Sequence, residues 1–103
     1  MTFNIRFENE SDGFNDWHFR RDLVVRLINK LSPSILGTQE GRANQLEYLH
    51  NHLPQYLKSI PPIRHIDETC QYPTLFFKKD MFNVIENGEF WLSKTPAVHR
   101  SKD

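Results

Sequence analysis

At 103 residues the chain is one domain at most, or part of one. Its 13 basic and 13 acidic residues cancel, so no basic field draws in nucleic acid, and a dedicated nucleic-acid-binding module is disfavoured. One cysteine, Cys70, excludes an internal disulfide and a cysteine-rich zinc site.

A reducing, cytoplasmic setting is the default expectation from that cysteine count. The N-terminus enters alternating Phe3, Ile5 and Phe7 without a long apolar run, so neither a signal peptide nor a membrane span is expected. That alternation predicts a strand over 2–7. Residues 8–15 (ENESDGFN) are rich in turn formers and read as a loop. A helix is expected from about Asp16 to Leu31, capped by Asn15 or Asp16. Arg20, Leu23, Val24, Leu27, Ile28 and Leu31 recur at helical spacing, and the apolar members are expected to face a core. Ser32-Pro33 ends this helix, and Ile35–Gln39 follows as a strand. Strand, helix, strand in this order favours a parallel crossover connection.

A second helix is expected from about Ala43 to Leu53, with Leu46, Leu49 and Leu53 inward and Pro54 as its stop. Residues 55–71 read as a long loop with a short strand at Tyr56–Ile60. Two more strands are expected, Pro73–Lys78 and Asn83–Leu92, joined by a turn at Lys79-Asp80. Residues 93–103 read as an irregular tail.

Ser34–Glu40 reads as a short buried strand that delivers Glu40 to its carboxyl end, where α/β sheets bind ligands. A hard cation such as Mg²⁺ takes oxygen ligands from one or two carboxylates, water and substrate phosphate. The other reading of Glu40 is a carboxylate favoured by the dipole of the following helix. Asn4 reaches the same rim from the adjacent strand. Arg6 has two readings as well, a phosphate contact or a salt-bridged arginine. His50 and His52, two apart on a helix, face different ways and read as surface histidines. Trp17 and His18 read as packing residues, His65 and His99 as isolated loop histidines, and Cys70 as a loop thiol. Phe76, Phe77, Phe90 and Trp91 read as core strand residues or, if unpaired, as a sticky sheet face.

The series Thr2-Phe3-Asn4-Ile5-Arg6, Ile35-Leu36-Gly37-Thr38-Gln39-Glu40, Gln45-Leu46, Tyr72–Asp80 and Gly88–Pro96 resembles the endonuclease/exonuclease/phosphatase superfamily, bacterial members above all. The resemblance keeps order and spacing across nearly the whole chain. It implies an α/β (α+β) fold: the N-terminal half of a four-layer α/β-sandwich, with a mixed sheet and two helices. It also implies a phosphoesterase using Mg²⁺, with Mn²⁺ as the alternative, on a phosphate-ester substrate. Glu40 matches the family's metal-binding glutamate. Asn4 matches the catalytic-rim asparagine that positions metal-bound water or phosphate. The family's later histidine, "G-D-x-N" and "D-H" elements have no counterpart before Asp103, so the chain alone is expected to be weak or dead as a catalyst. The competing expectation is a non-catalytic domain whose bare sheet face pairs with a second copy or captures a partner.

Overall fold

The structure, a computed structural model, describes residues 1–59, 69–88, 92–95 and 97. Within them one four-stranded mixed sheet carries two helices on the same face. The strands are β1 (Thr2–Asn4), β2 (Ile35–Gln39), β3 (Tyr56–Lys58) and β4 (Thr74–Lys78). Their order across the sheet is β1-β2-β4-β3, with β1 parallel to β2 and the other pairs antiparallel.

β1 is shorter than the alternation of Phe3, Ile5 and Phe7 predicts. Ile5 still donates its N–H to the Gln39 carbonyl at 3.1 Å, but Arg6 then turns into the left-handed region at φ 63°. That conformation ends the ladder for any residue carrying a Cβ. Residues 8–15 are more ordered than the loop expected there: Glu10–Asn15 forms a 3₁₀ segment, broken at Gly13 where φ is 60° and ψ is −124°. Asn9 accepts from the Ser11 N–H to start it.

Helix α1 (Trp17–Leu31) has Asp16 as its N-cap, the side chain accepting from the Trp17 N–H at 2.8 Å. Ser32 closes it in the left-handed conformation. The buried face differs from the expected one. Trp17, Val24 and Ile28 enter the core, whereas Leu23, Leu27 and Leu31 stay 61%, 41% and 56% exposed. Only a narrow strip of a helix touches a single flat sheet, so leucines a third of a turn away miss it. Helix α2 (Ala43–His52) buries Gln45, Leu46 and Leu49, and Leu53 is buried just after it.

The core joins Val24 and Ile28 of α1 and Leu46 and Leu49 of α2 to Leu36 and Phe76 on the sheet. Thr38 is also buried, and its hydroxyl donates to the Thr74 carbonyl at 3.0 Å. The opposite face is open: Ile35, Leu57 and Leu75 are 46%, 44% and 53% exposed. Their cross-strand register puts them on one side, with Gly37 and Phe77.

Residues 83–88 are not the strand expected from Asn83 to Leu92; Val84 and Ile85 lie exposed. β4 already has β2 on one edge and β3 on the other, so a hairpin partner following it in sequence has no free edge to join. Phe90 and Trp91 of that expected strand, Ile60 of the earlier one, and His65 and His99 lie outside the described residues. The described part of the expected tail, residues 93–95 and 97, holds no helix or strand. Phe76 is fully buried, the core alternative, whereas Phe77 is half-buried and takes the sheet-face alternative.

Candidate functional site at the ends of β1 and β2

The parallel pairing sets Asn4 opposite Gln39, so the chain leaves both strands at one end of the sheet. Glu40, the next residue, adopts φ 64° and turns its side chain back over that end. The Asn4 amide nitrogen donates to Glu40 Oε1 at 3.0 Å. Asn4 Oδ1 in turn accepts the Arg6 N–H at 3.0 Å. This second bond depends on the left-handed turn at Arg6, and it fixes which way the amide faces. Asn4 therefore presents its NH₂ to the carboxylate, and among the described residues Glu40 Oε2 is the open oxygen.

Gln45 was legible only as part of a motif, yet it organises the loop beside this pair. Its buried amide accepts from the N–H groups of Glu8 (2.9 Å) and Arg42 (3.1 Å) and donates to the Arg6 carbonyl (2.9 Å). A buried amide has this capacity and must use it. Gly41 lets α2 approach: a Cβ there would stand 2.9 Å from Leu46 Cδ2 and 3.2 Å from Ile5 Cδ1.

Arg6 takes the salt-bridged alternative, forking onto Asp12 at 3.1 and 3.0 Å. The bond from Arg6 holds the Asp12 carboxyl below its ordinary range. The guanidinium is itself raised, first by that hydrogen bond and the Asp12 charge, with a smaller contribution from Glu40.

The remaining candidates divide. Trp17 is a packing residue, edge-on to Tyr48, whereas His18 is exposed, because the residue after the first core position of α1 points away from the sheet. His52 lies on the surface, stacked on Tyr48 at 3.9 Å. His50 is half-buried, not a surface residue, and its Nδ1 is shut away without a partner. Cys70 is buried in the core cluster. No described histidine hydrogen-bonds to Asn4 or Glu40, and among the described residues no cluster of three His, Cys, Asp or Glu side chains gathers for a metal. A groove of about 620 Å³ runs along the open sheet face past Gln39 and Leu75, beside the polar pair and not over it.

A mixed sheet with helices on one face and a polar pair at the strand ends defines an α+β chain with a rim site. The fold is shared with solved structures. The chain is similar to an endonuclease/exonuclease/phosphatase from Bacteroides vulgatus, with 35% identity and a TM-score of 0.84 over 92% of this chain. It is similar to a mannosyl-6-phosphatase of Bacteroides thetaiotaomicron, with 29% identity and a TM-score of 0.84. A conserved protein of unknown function from Enterococcus faecalis gives 31% identity and a TM-score of 0.80. This chain spans 36%, 37% and 38% of those three chains respectively. It carries part of the endonuclease/exonuclease/phosphatase fold. No protein-family model and no curated protein matches it.

Proposed function

We propose that this chain supplies one rim of a Mg²⁺-dependent phosphoesterase site, in which Glu40 holds the metal and Asn4 orients Glu40. The observation that carries the reading is the 3.0 Å bond from the Asn4 amide to one Glu40 oxygen, which among the described residues leaves the other free at the strand end. One open carboxylate oxygen fits a hard, largely hydrated cation such as Mg²⁺, which keeps several waters and needs no all-protein cage. Mn²⁺ takes the same donors. When bound, the metal supplies charge stabilisation to phosphoryl oxygens. The chain's own contribution is to fix the carboxylate: the Arg6 N–H holds the Asn4 amide, and the amide holds Glu40. The solved mannosyl-6-phosphatase and the endonuclease/exonuclease/phosphatase support a phosphate-ester substrate.

Mg²⁺ titration of the chain, followed by amide NMR, tests this. Resonances of residues 4–6 and 39–41 are expected to shift at millimolar Mg²⁺, and Glu40→Gln is expected to abolish the shifts. Equal shifts in both proteins, or none in either, would sink the reading. General acid–base catalysis needs a group within hydrogen-bond reach of the moving proton, and no described histidine supplies one at this pair. Turnover of bis-p-nitrophenyl phosphate by the 103-residue chain at the rate of a longer relative would count against that limit.

A second reading rests on the open face of Ile35, Leu57 and Leu75. An apolar sheet face of this kind pairs with a second copy of the chain, burying both.

A further inference from the structure

Two dipeptides of the chain, Asp12-Gly13 and Asn87-Gly88, set a side-chain carboxyl or amide carbon beside a glycine nitrogen. Such a pair can close into a ring when that nitrogen attacks that carbon. Glycine carries no Cβ and takes up most backbone conformations, so little opposes the closure. The fold treats the two pairs differently.

Asp12 is locked. The Arg6 fork bonds both of its oxygens, at 3.1 and 3.0 Å, and keeps the group a carboxylate, which has no good leaving group. Asn4, which precedes Ile5, is locked too. Its amide is bonded at both ends, and the Ile5 N–H is given to the Gln39 carbonyl. Asn87-Gly88 stands in another setting. Both residues are exposed and lie outside helix and strand, so rotating the Gly88 nitrogen onto the side chain breaks no ladder or helix bond. A Cβ at Gly88 would meet nothing within 4 Å. Asn87 also lines the groove along the bare sheet face and a cavity of about 420 Å³ shared with Leu57, Lys58 and Phe77.

We infer that Asn87 is a site of spontaneous deamidation, which sets a new carboxylate at the border of the bare sheet face. The inference stands apart from the phosphoesterase reading. The Gly88 nitrogen bonds to Asn87 Cγ and loses its proton to solvent base, and the side-chain nitrogen leaves as ammonia. Water then opens the resulting succinimide at one of its two carbonyl carbons. Opening at Cγ gives aspartate. Opening at the main-chain carbonyl carbon gives isoaspartate, with the chain running on through Cγ. One water is consumed, one ammonia is released and nothing is oxidised or reduced. Because 13 basic and 13 acidic residues balance, each event leaves one negative charge in excess.

Incubating the chain at neutral and mildly alkaline pH, folded and in guanidinium chloride, tests the inference by charge separation and peptide mapping. An acidic form is expected to grow, faster at the higher pH because the attacking N–H must lose its proton. Its mass change, OH in place of NH₂, should map to Asn87, and part of it should accept a methyl group from an isoaspartyl methyltransferase. The folded rate should lie within a few-fold of the unfolded rate, whereas isoaspartate at Asp12 should appear in the unfolded sample alone. Asn87→Gln, which needs a larger and slower-forming ring, is expected to remove the acidic form. Gly88→Ala is expected to slow it several-fold. A folded rate many-fold below the unfolded one overturns the inference. So does an acidic form that maps elsewhere while Asn87 stays intact, an unchanged rate in Gly88→Ala, or isoaspartate forming in the folded chain as fast at Asp12 as at Asn87.

Discussion

Asn4 shows how much the backbone decides about one side chain. Its amide has two ends, and the left-handed turn at Arg6 assigns them, giving Oδ1 to a peptide N–H and the NH₂ to Glu40. Asn4→Ala is therefore expected to weaken Mg²⁺ binding about 10-fold or more, the usual cost of losing a group that orients a ligand. The same NMR titration checks it, with shifts at residues 39–41 moving to higher Mg²⁺. Asp12 carries a pH consequence. Its carboxyl is held below the ordinary range by Arg6, so the stabilisation it gives is present above about pH 4 and is lost as pH falls through the lowered folded value. Asp12→Asn should flatten that acid limb in urea midpoints measured against pH, while leaving the slope near neutrality unchanged.

At the scale of elements, α1 and α2 are held to the sheet by different means. α1 presents Trp17, Val24 and Ile28 in a narrow strip, and its remaining leucines project past the sheet. Ile28→Ala is expected to cost about 2–5 kcal/mol, as for other buried aliphatic truncations. Leu23→Ala should stay within about 0.5 kcal/mol, as for exposed sites. Denaturant midpoints of the pair decide whether the inward strip has been drawn correctly. α2 comes close to β1 because Gly41 has no side chain, and Gly41→Ala would press on Leu46 and Ile5. That overpacking is expected to cost about 1–3 kcal/mol.

For the whole molecule, the sheet is covered on one face and bare on the other. Leu75→Lys puts a charge in the middle of the bare face and should lower any self-association seen by sedimentation velocity. Self-association unaffected by Leu75→Lys would mean the contact lies elsewhere. Among the described residues no helix is long and apolar enough to cross a membrane, so the bare face and not a span is the large apolar feature.

The sequence by itself determined the elements that repeat strongly. The stop at Ser32-Pro33, the α2 leucines Leu46, Leu49 and Leu53, and the stretches Ile35–Gln39 and Thr74–Lys78 fall where their spacing puts them. It also brought Asn4 and Glu40 together, through a resemblance of ordered motifs. Tertiary structure decided what local pattern cannot carry. Period alone makes Leu23, Leu27 and Leu31 look like core, but the width of the surface opposite decides which side chains are covered. The stretch Asn83–Leu92 reads as a strand, but strand formation needs a free edge, and β4 had none for residues 83–88 to join.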